Sequence, residues 1–333
     1  MERIFFGRSL SGDDVNLYIL ENEHCKLKVM DFGLIVVGFE VFGRDIIGGF
    51  DTLDAYLTDN SHQGGTIGRV ANRIADACFT MDGKVYKLPK NDGENCLHGG
   101  VGFDRRMWTL KEAREDTLVF SYLSADGEEG FPANLSVTVT MTLKETSLII
   151  SYEATPDGKT PIALTNHSYF NLDGFGGDIK EHTARIYADR YTDVGANLIP
   201  SGNTPDVAGT VFDFTTPHKI GERLSADFIG YDHNFILAPT VYDDFLGARA
   251  GLAAEVWNAD IKLSVYTDQP GIQFYIGNFL GYGPDFKGGV KQVKHGAFCL
   301  ETQTEPNCVN RGEGFYDKGA IYRHICVYKV EKI

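Results

Sequence analysis

No CxxC pair occurs in the sequence, and its six cysteines (Cys25, Cys78, Cys96, Cys299, Cys308 and Cys326) lie far apart. Small secreted domains that substitute disulfides for a core need a dense cysteine framework, so this spacing points to free thiols in a reducing compartment. Also missing is any run of about 20 apolar residues, the length of a membrane-spanning helix. The first 20 residues carry Glu2, Arg3, Arg8, Asp13 and Asp14, which interrupt the apolar core a signal peptide requires. A cytoplasmic protein is therefore expected. Basic charge is scarce: 31 Lys and Arg stand against 46 Asp and Glu, a net charge of −15. That field repels phosphate backbones and anionic membranes, and the Arg105-Arg106 pair is too thin to override it, so neither nucleic acid nor membrane is an expected partner. There is no Walker loop, no GxGxxG opening a helix and no HExxH. No HxH or HxxxH spacing brings histidines together either, so neither a cofactor nor a metal is expected.

What is present is ordinary globular material, 43% hydrophobic and 23% charged, enough for a substantial core. Alternation dominates it. Leu135, Val137, Val139, Met141 and Leu143 are apolar and the residues between them are Ser or Thr, the pattern of a strand with one buried face. Lys144-Glu145-Thr146 interrupts this pattern and Leu148 to Tyr152 resumes it, which predicts an antiparallel hairpin. Asp82-Gly83, set between Cys78–Met81 and Lys84–Tyr86, predicts another, because both residues tolerate the positive φ of a tight turn. Further strands are predicted at Leu34–Val41, Thr117–Leu123, Ile261–Tyr266, Ile272–Ile276 and Ala297–Glu301. Helical spacing is confined to Thr52–Thr58 and His218–Ala226, and Pro200–Pro217 reads as a long ordered loop. The expected fold class is all-β, a large antiparallel β-sandwich, and with no linker or internal repeat residues 1–333 read as a single domain.

Reactive side chains concentrate in segments rich in turn residues: Gly68 to Ile74, Cys96 to Gly100 with Gly102-Phe103-Asp104, Thr165 to Leu172, Tyr231-Asp232-His233, Pro270 to Tyr275, and Leu300 to Gln303. In this combination and order they resemble the aldose 1-epimerase (galactose mutarotase) family, with Thr165-Asn166-His167-Ser168-Tyr169-Phe170-Asn171-Leu172 the most specific stretch. The resemblance runs from about Gly64 to about Asn310. It implies Glu301 as general base, His167 as general acid, and Asn72, Arg73, His98, Asp232 and Gln273 as sugar-binding groups. It further implies a twisted β-sandwich with an open cleft for a free aldose such as galactose or glucose. Two flanks depart from the family pattern: Ala163-Leu164 stands where Asn-Ser is frequent, and Glu305-Pro306-Asn307 replaces a common Phe-Pro-Asp. The chemistry is coherent with the residues, since opening a hemiacetal needs one base for the C1 hydroxyl and one acid for the ring oxygen. Two alternatives stay open at this level, a carbohydrate-binding or regulatory protein without catalysis and an epimerase for a modified sugar. Oligomeric state is not written in these motifs.

Overall fold

The computed structural model describes all residues, 1–333. Alternation is translated directly into sheet. Along Leu135–Lys144 the odd positions are buried and Ser136 and Thr138 face solvent. Lys144 pairs with Ser147 across the turn, so Leu135–Lys144 and Ser147–Pro156 form the expected hairpin in full register. The Asp82-Gly83 hairpin forms as well, with φ of 51° and 76° at its two turn residues, both in the left-handed region that the turn demands. The other five predicted strands are present to within two residues of the expected ends.

Three larger sheets and several two-stranded ribbons make up the molecule. One sheet of ten strands begins with Thr109–Ala113, Thr117–Ser124, Leu135–Lys144 and Ser147–Pro156 as a meander. The last strand, Tyr322–Lys332, joins its edge, and Ile261–Thr267, Ala248–Trp257, Thr183–Ile186 and His218–Lys219 continue beyond, with Tyr242–Phe245 paired to Ala248–Trp257. The chain end is thus hydrogen-bonded between an early and a late block of sequence. A five-stranded sheet contains the first strands, Glu2–Arg8 to Arg44–Asp45. A second one orders Tyr169–Phe170, Phe298–Gln303, Gly271–Tyr275, Asp232–Leu237 and Ala188–Tyr191 side by side. A continuous cluster of 53 buried hydrophobic residues draws on all three sheets, as a layered sandwich requires.

The short helix at Leu53–Thr58 forms, with the Thr52 side chain accepting from the Ala55 N–H at its start. The helical expectation for His218–Ala226 is corrected. His218–Lys219 pairs with Thr183–Ala184 as a strand, and the Ile220 and Gly221 amides donate to the His182 and Lys180 carbonyls instead of to a preceding turn. Tertiary pairing overrides a weak local preference there. No helix is long and apolar enough to cross a membrane.

Candidate active site

Each site residue is held by a local device that its sequence neighbours supply. Glu301 lies in Phe298–Gln303, flanked in the second five-stranded sheet by Tyr169–Phe170 and Gly271–Tyr275, and is paired in register with Gln273. Strand alternation turns Leu300 and Phe274 into the main core and leaves Glu301 on the opposite face. His167 follows directly on Thr165–Asn166, which pairs with Thr66–Ile67. Its carbonyl accepts from the Gly64 N–H at 2.9 Å, and its own N–H donates to the Gly65 carbonyl at 3.0 Å. The motif around it explains itself: the Asn166 side chain donates to the Gly64 carbonyl and accepts from the Ser168 amide, tying the two strands together. Gly64 has φ +67°, and a Cβ there would lie 2.2 Å from the Val36 carbonyl oxygen, so only glycine fits.

Arg73 and Leu97 pair across the ribbon formed by Arg73–Ile74 and Cys96–Leu97. Just past that pair, Asn72 and His98 both turn into the left-handed region, with φ of 61° and 53°. The His98 N–H donates to the Asn72 carbonyl at 3.0 Å, and the Asn72 N–H donates to His98 Nδ1 at 3.2 Å. Strained backbone at two adjacent site positions is held by this mutual pairing. Arg73 is pinned through Nε to the Asp92 carboxylate at 2.7 Å.

These elements converge on one cavity of about 450 Å³, lined by Asn72, Arg73, His98, His167, Asp232 and Glu301 among others. Six of the seven residues singled out in the sequence therefore meet. Gln273 sits behind the wall, 3% exposed, and donates through Nε2 to Asp232 Oδ1 at 2.7 Å. At the floor, His167 Nε2 is 3.6 Å from Glu301 Oε1, with both residues buried. The other carboxylate oxygen of Glu301 has no protein partner. Beneath them the Cys299 thiol lies 3.6 Å from His167 Nδ1.

Burial governs the electrostatics. It lowers the His167 pKa to about 3, with the nearby His62 adding to the shift. It pushes Glu301 well above the usual carboxylate value, the Asp232 charge acting in the same direction and Arg73 against it. His98 is held well below its ordinary value by burial and by the neighbouring His62 and His167. With Nδ1 of a neutral His98 accepting from Asn72, the ring proton belongs on Nε2.

That tautomer bears on metal binding. One donor atom each from His98, His167 and Glu301 lie within 4.8 Å of one another, a clustering that no sequence spacing announced. Both His98 nitrogens are committed, however: Nδ1 takes the Asn72 N–H and Nε2 carries the proton. Only His167 and Glu301 remain, fewer than the three protein ligands of a catalytic zinc site. The cluster is better suited to donating and accepting protons at a hydroxylated ligand.

Sequence reasoning missed His62, which shares the cavity wall, and Asp92, which holds Arg73. It also left unnamed the aromatic lining: Tyr169 and Tyr275 within, and Phe279 and Tyr282 at the mouth, 64% and 95% exposed. The one readable signal was Phe279 and Tyr282 set among Gly277, Gly281 and Gly283.

An antiparallel sandwich with a buried carboxyl–imidazole pair, ringed by side chains able to hydrogen-bond hydroxyls, has the chemistry of a carbohydrate-active acid–base enzyme. Comparison with known proteins narrows that class. The family model described as aldose 1-epimerase matches residues 16–329. Galactose mutarotase of Sus scrofa is 43% identical over 318 residues, covering 93% of this chain and 91% of that protein. Aldose 1-epimerase of Escherichia coli (strain K12) is 36% identical over 311 residues, covering 89% and 88%. The crystal structure of galactose 1-epimerase from Lactobacillus acidophilus NCFM superposes with a TM-score of 0.87 at 26% identity, covering 99% of this chain and 98% of that one. The chain belongs to the aldose 1-epimerase family, whose members are isomerases acting at the anomeric carbon of a sugar.

Proposed function

We propose that Glu301 and His167 are the base and acid with which this enzyme interconverts the α and β anomers of free aldoses, galactose and glucose among them. One observation carries the assignment: a carboxyl and an imidazole 3.6 Å apart, both buried, at the floor of the cavity. The two oxygens that exchange protons in a hemiacetal sit on the same carbon, so the acid and base must be neighbours. Glu301 takes the C1 hydroxyl proton and His167 gives one to the ring oxygen. The C1–ring oxygen bond breaks and a carbonyl forms at C1. Rotation about C1–C2 presents the other carbonyl face; as the ring closes, Glu301 gives its proton to the carbonyl oxygen and His167 takes one back from the attacking hydroxyl. No net proton is consumed.

Burial alone favours the uncharged pair, a protonated Glu301 beside a neutral His167, which is the state the pair occupies while the sugar is open. In the ring-closed complex the Arg73 cation opposes that preference by stabilising the Glu301 carboxylate. Between the two pKa values the pair keeps a single proton, so its total proton count stays constant through the cycle. Arg73 and the Nε2–H of His98 donate to hydroxyls, and Asp232 accepts from them. Gln273 acts by holding Asp232 in place. Orientation over Glu301 supplies the proximity that a dissolved sugar lacks.

The same reading takes residues 1–333 as one domain, supported by the final strand, which is bonded between early and late segments. It places the enzyme in the cytoplasm, supported by six unpaired cysteines. Its partner is then a neutral sugar and neither a nucleic acid nor a membrane, in keeping with the net charge of −15.

The test is polarimetry of freshly dissolved α-anomers of galactose, glucose and related aldoses. We expect each accepted sugar to relax to its equilibrium rotation faster with enzyme than in buffer. Unaltered relaxation for all of them, with sugar binding seen by calorimetry, would replace catalysis by a binding role.

A further inference from the structure

The cavity contains a third imidazole that the acid–base pair does not use. His62 stands in the left-handed region, φ 58°, in the turn closed by the Gly65 N–H donating to its carbonyl. Its side chain lines the cavity and is 16% exposed. The ring centroid is 4.7 Å from that of His98 and 6.0 Å from that of His167, so His62 flanks the space above the reacting groups.

Behind it is a built support. His62 Nδ1 lies 2.8 Å from Oδ2 of Asp104, a carboxylate only 2% exposed. Arg105 Nε lies 3.5 Å from the same oxygen. The remaining oxygen, Oδ1, has no partner, so little besides His62 and Arg105 repays the cost of burying Asp104. Burial pushes the Asp104 pKa up, yet His62 and Arg105 bring it below the ordinary value. A carboxylate accepts only, which places a proton on Nδ1 and leaves Nε2 as the nitrogen free to meet a ligand.

The contrast with His98 is informative. There Nδ1 accepts from the Asn72 amide and the neutral ring presents Nε2–H, a donor. In His62 the polarity is reversed: Nδ1 donates to Asp104, and Nε2 is the nitrogen left to accept from a hydroxyl. Two imidazoles in edge contact thus offer one donor and one acceptor to the same ligand, a match for a polyol whose hydroxyls do both.

We propose that His62, positioned by Asp104, binds a hydroxyl of the sugar through Nε2 and contributes to selection among aldoses. Asp104 acts through His62 and is a positioning residue. The proposal rests on the epimerase reading, and it adds a contact that the acid–base pair and the Arg73, His98 and Asp232 wall do not supply.

The experiment crosses enzyme variants with deoxy-sugars in the mutarotation assay. His62→Phe keeps a planar ring against His98 but removes both nitrogens, and a neutral hydrogen bond at a partly wet site is worth on the order of 1 kcal/mol, or about fivefold in binding. We expect KM for galactose to rise about fivefold with kcat changed less than about twofold. For the one deoxygalactose that lacks the contacted hydroxyl, the difference between wild type and variant should vanish, because the interaction is already absent. Asp104→Asn should raise KM by a smaller factor. His62→Gln, which keeps a polar side chain and spares the buried carboxylate an apolar neighbour, provides a folded variant should His62→Phe be unstable. An active wild type with unchanged KM in both His62 variants, or an equal loss for every deoxy-sugar, would overturn the contact and leave the epimerase reading standing. A wild type inactive on every aldose would overturn both.

Discussion

Glu301 illustrates how much the protein environment changes a side chain of ordinary chemistry. In water its carboxyl would be ionised at neutral pH and the imidazole of His167 would titrate near 6.5. Inside the cavity both are displaced toward their uncharged forms, Glu301 upward and His167 down to about 3, chiefly by burial. On the proposed acid–base assignment, activity needs one proton on the pair. Gain of a second proton sets the acid limb of the kcat/KM profile, and loss of the single proton sets the alkaline limb. The raised Glu301 pKa therefore belongs to the alkaline limb. Asp232 helps raise it, so Asp232→Asn should move that limb to lower pH while raising KM through loss of a hydroxyl acceptor. A pH profile of kcat/KM for the variant checks the sign, and a limb displaced to higher pH would contradict the assignment. That His167 and Glu301 belong to one site was expected from the sequence, because both stand in distinctive segments, and the structure brings them to 3.6 Å of each other. Their proton affinities were not, since those depend on burial and on charges 63 or more residues away in the chain. His62 was illegible for a related reason: its partner Asp104 is 42 residues on, and only the Gly64-Gly65 turn brings the two together.

At the scale of elements, short pairings matter more than long strands. Thr165–Asn166 with Thr66–Ile67, and Arg73–Ile74 with Cys96–Leu97, contain two residues per strand, yet they deliver His167, Asn72, Arg73 and His98. Sequence periodicity cannot find strands of two residues, whereas it found the ten-residue hairpin strands without difficulty. Turn chemistry was the better guide at Gly99 and Gly100, both of which adopt positive φ beside His98. Gly64 offers a direct test. Alanine there meets the Val36 carbonyl and an unfavourable φ together, so Gly64→Ala should cost more than about 1 kcal/mol of stability. It should also disturb the two backbone bonds that hold His167, lowering kcat in the protein that remains folded. Thermal melts and kcat measured side by side check this, and a variant with wild-type values for both would show that the turn is not the anchor described.

For the whole molecule, the all-β class followed from alternation that the sheets reproduce, with Leu135–Lys144 the clearest case. The segment His218–Ala226 misled because a few spaced apolar residues resemble a helix face, while its backbone bonds go to Lys180 and His182 on a neighbouring segment. Two departures from the family pattern find structural places away from the reacting pair. Leu164 is fully buried in the main core, and the Asn307 side chain accepts from the Ala75 N–H. The layered sheets thus act as a frame that holds a carboxyl and an imidazole side by side, away from bulk water. The most direct measurement of that claim is the decay of optical rotation of α-D-galactose with wild-type enzyme and with folded Glu301→Gln, which keeps shape and removes the carboxyl proposed as the base. The account predicts fast relaxation for the wild type and a loss on the order of 10²- to 10⁴-fold for the variant. Relaxation at the wild-type rate in Glu301→Gln would contradict it.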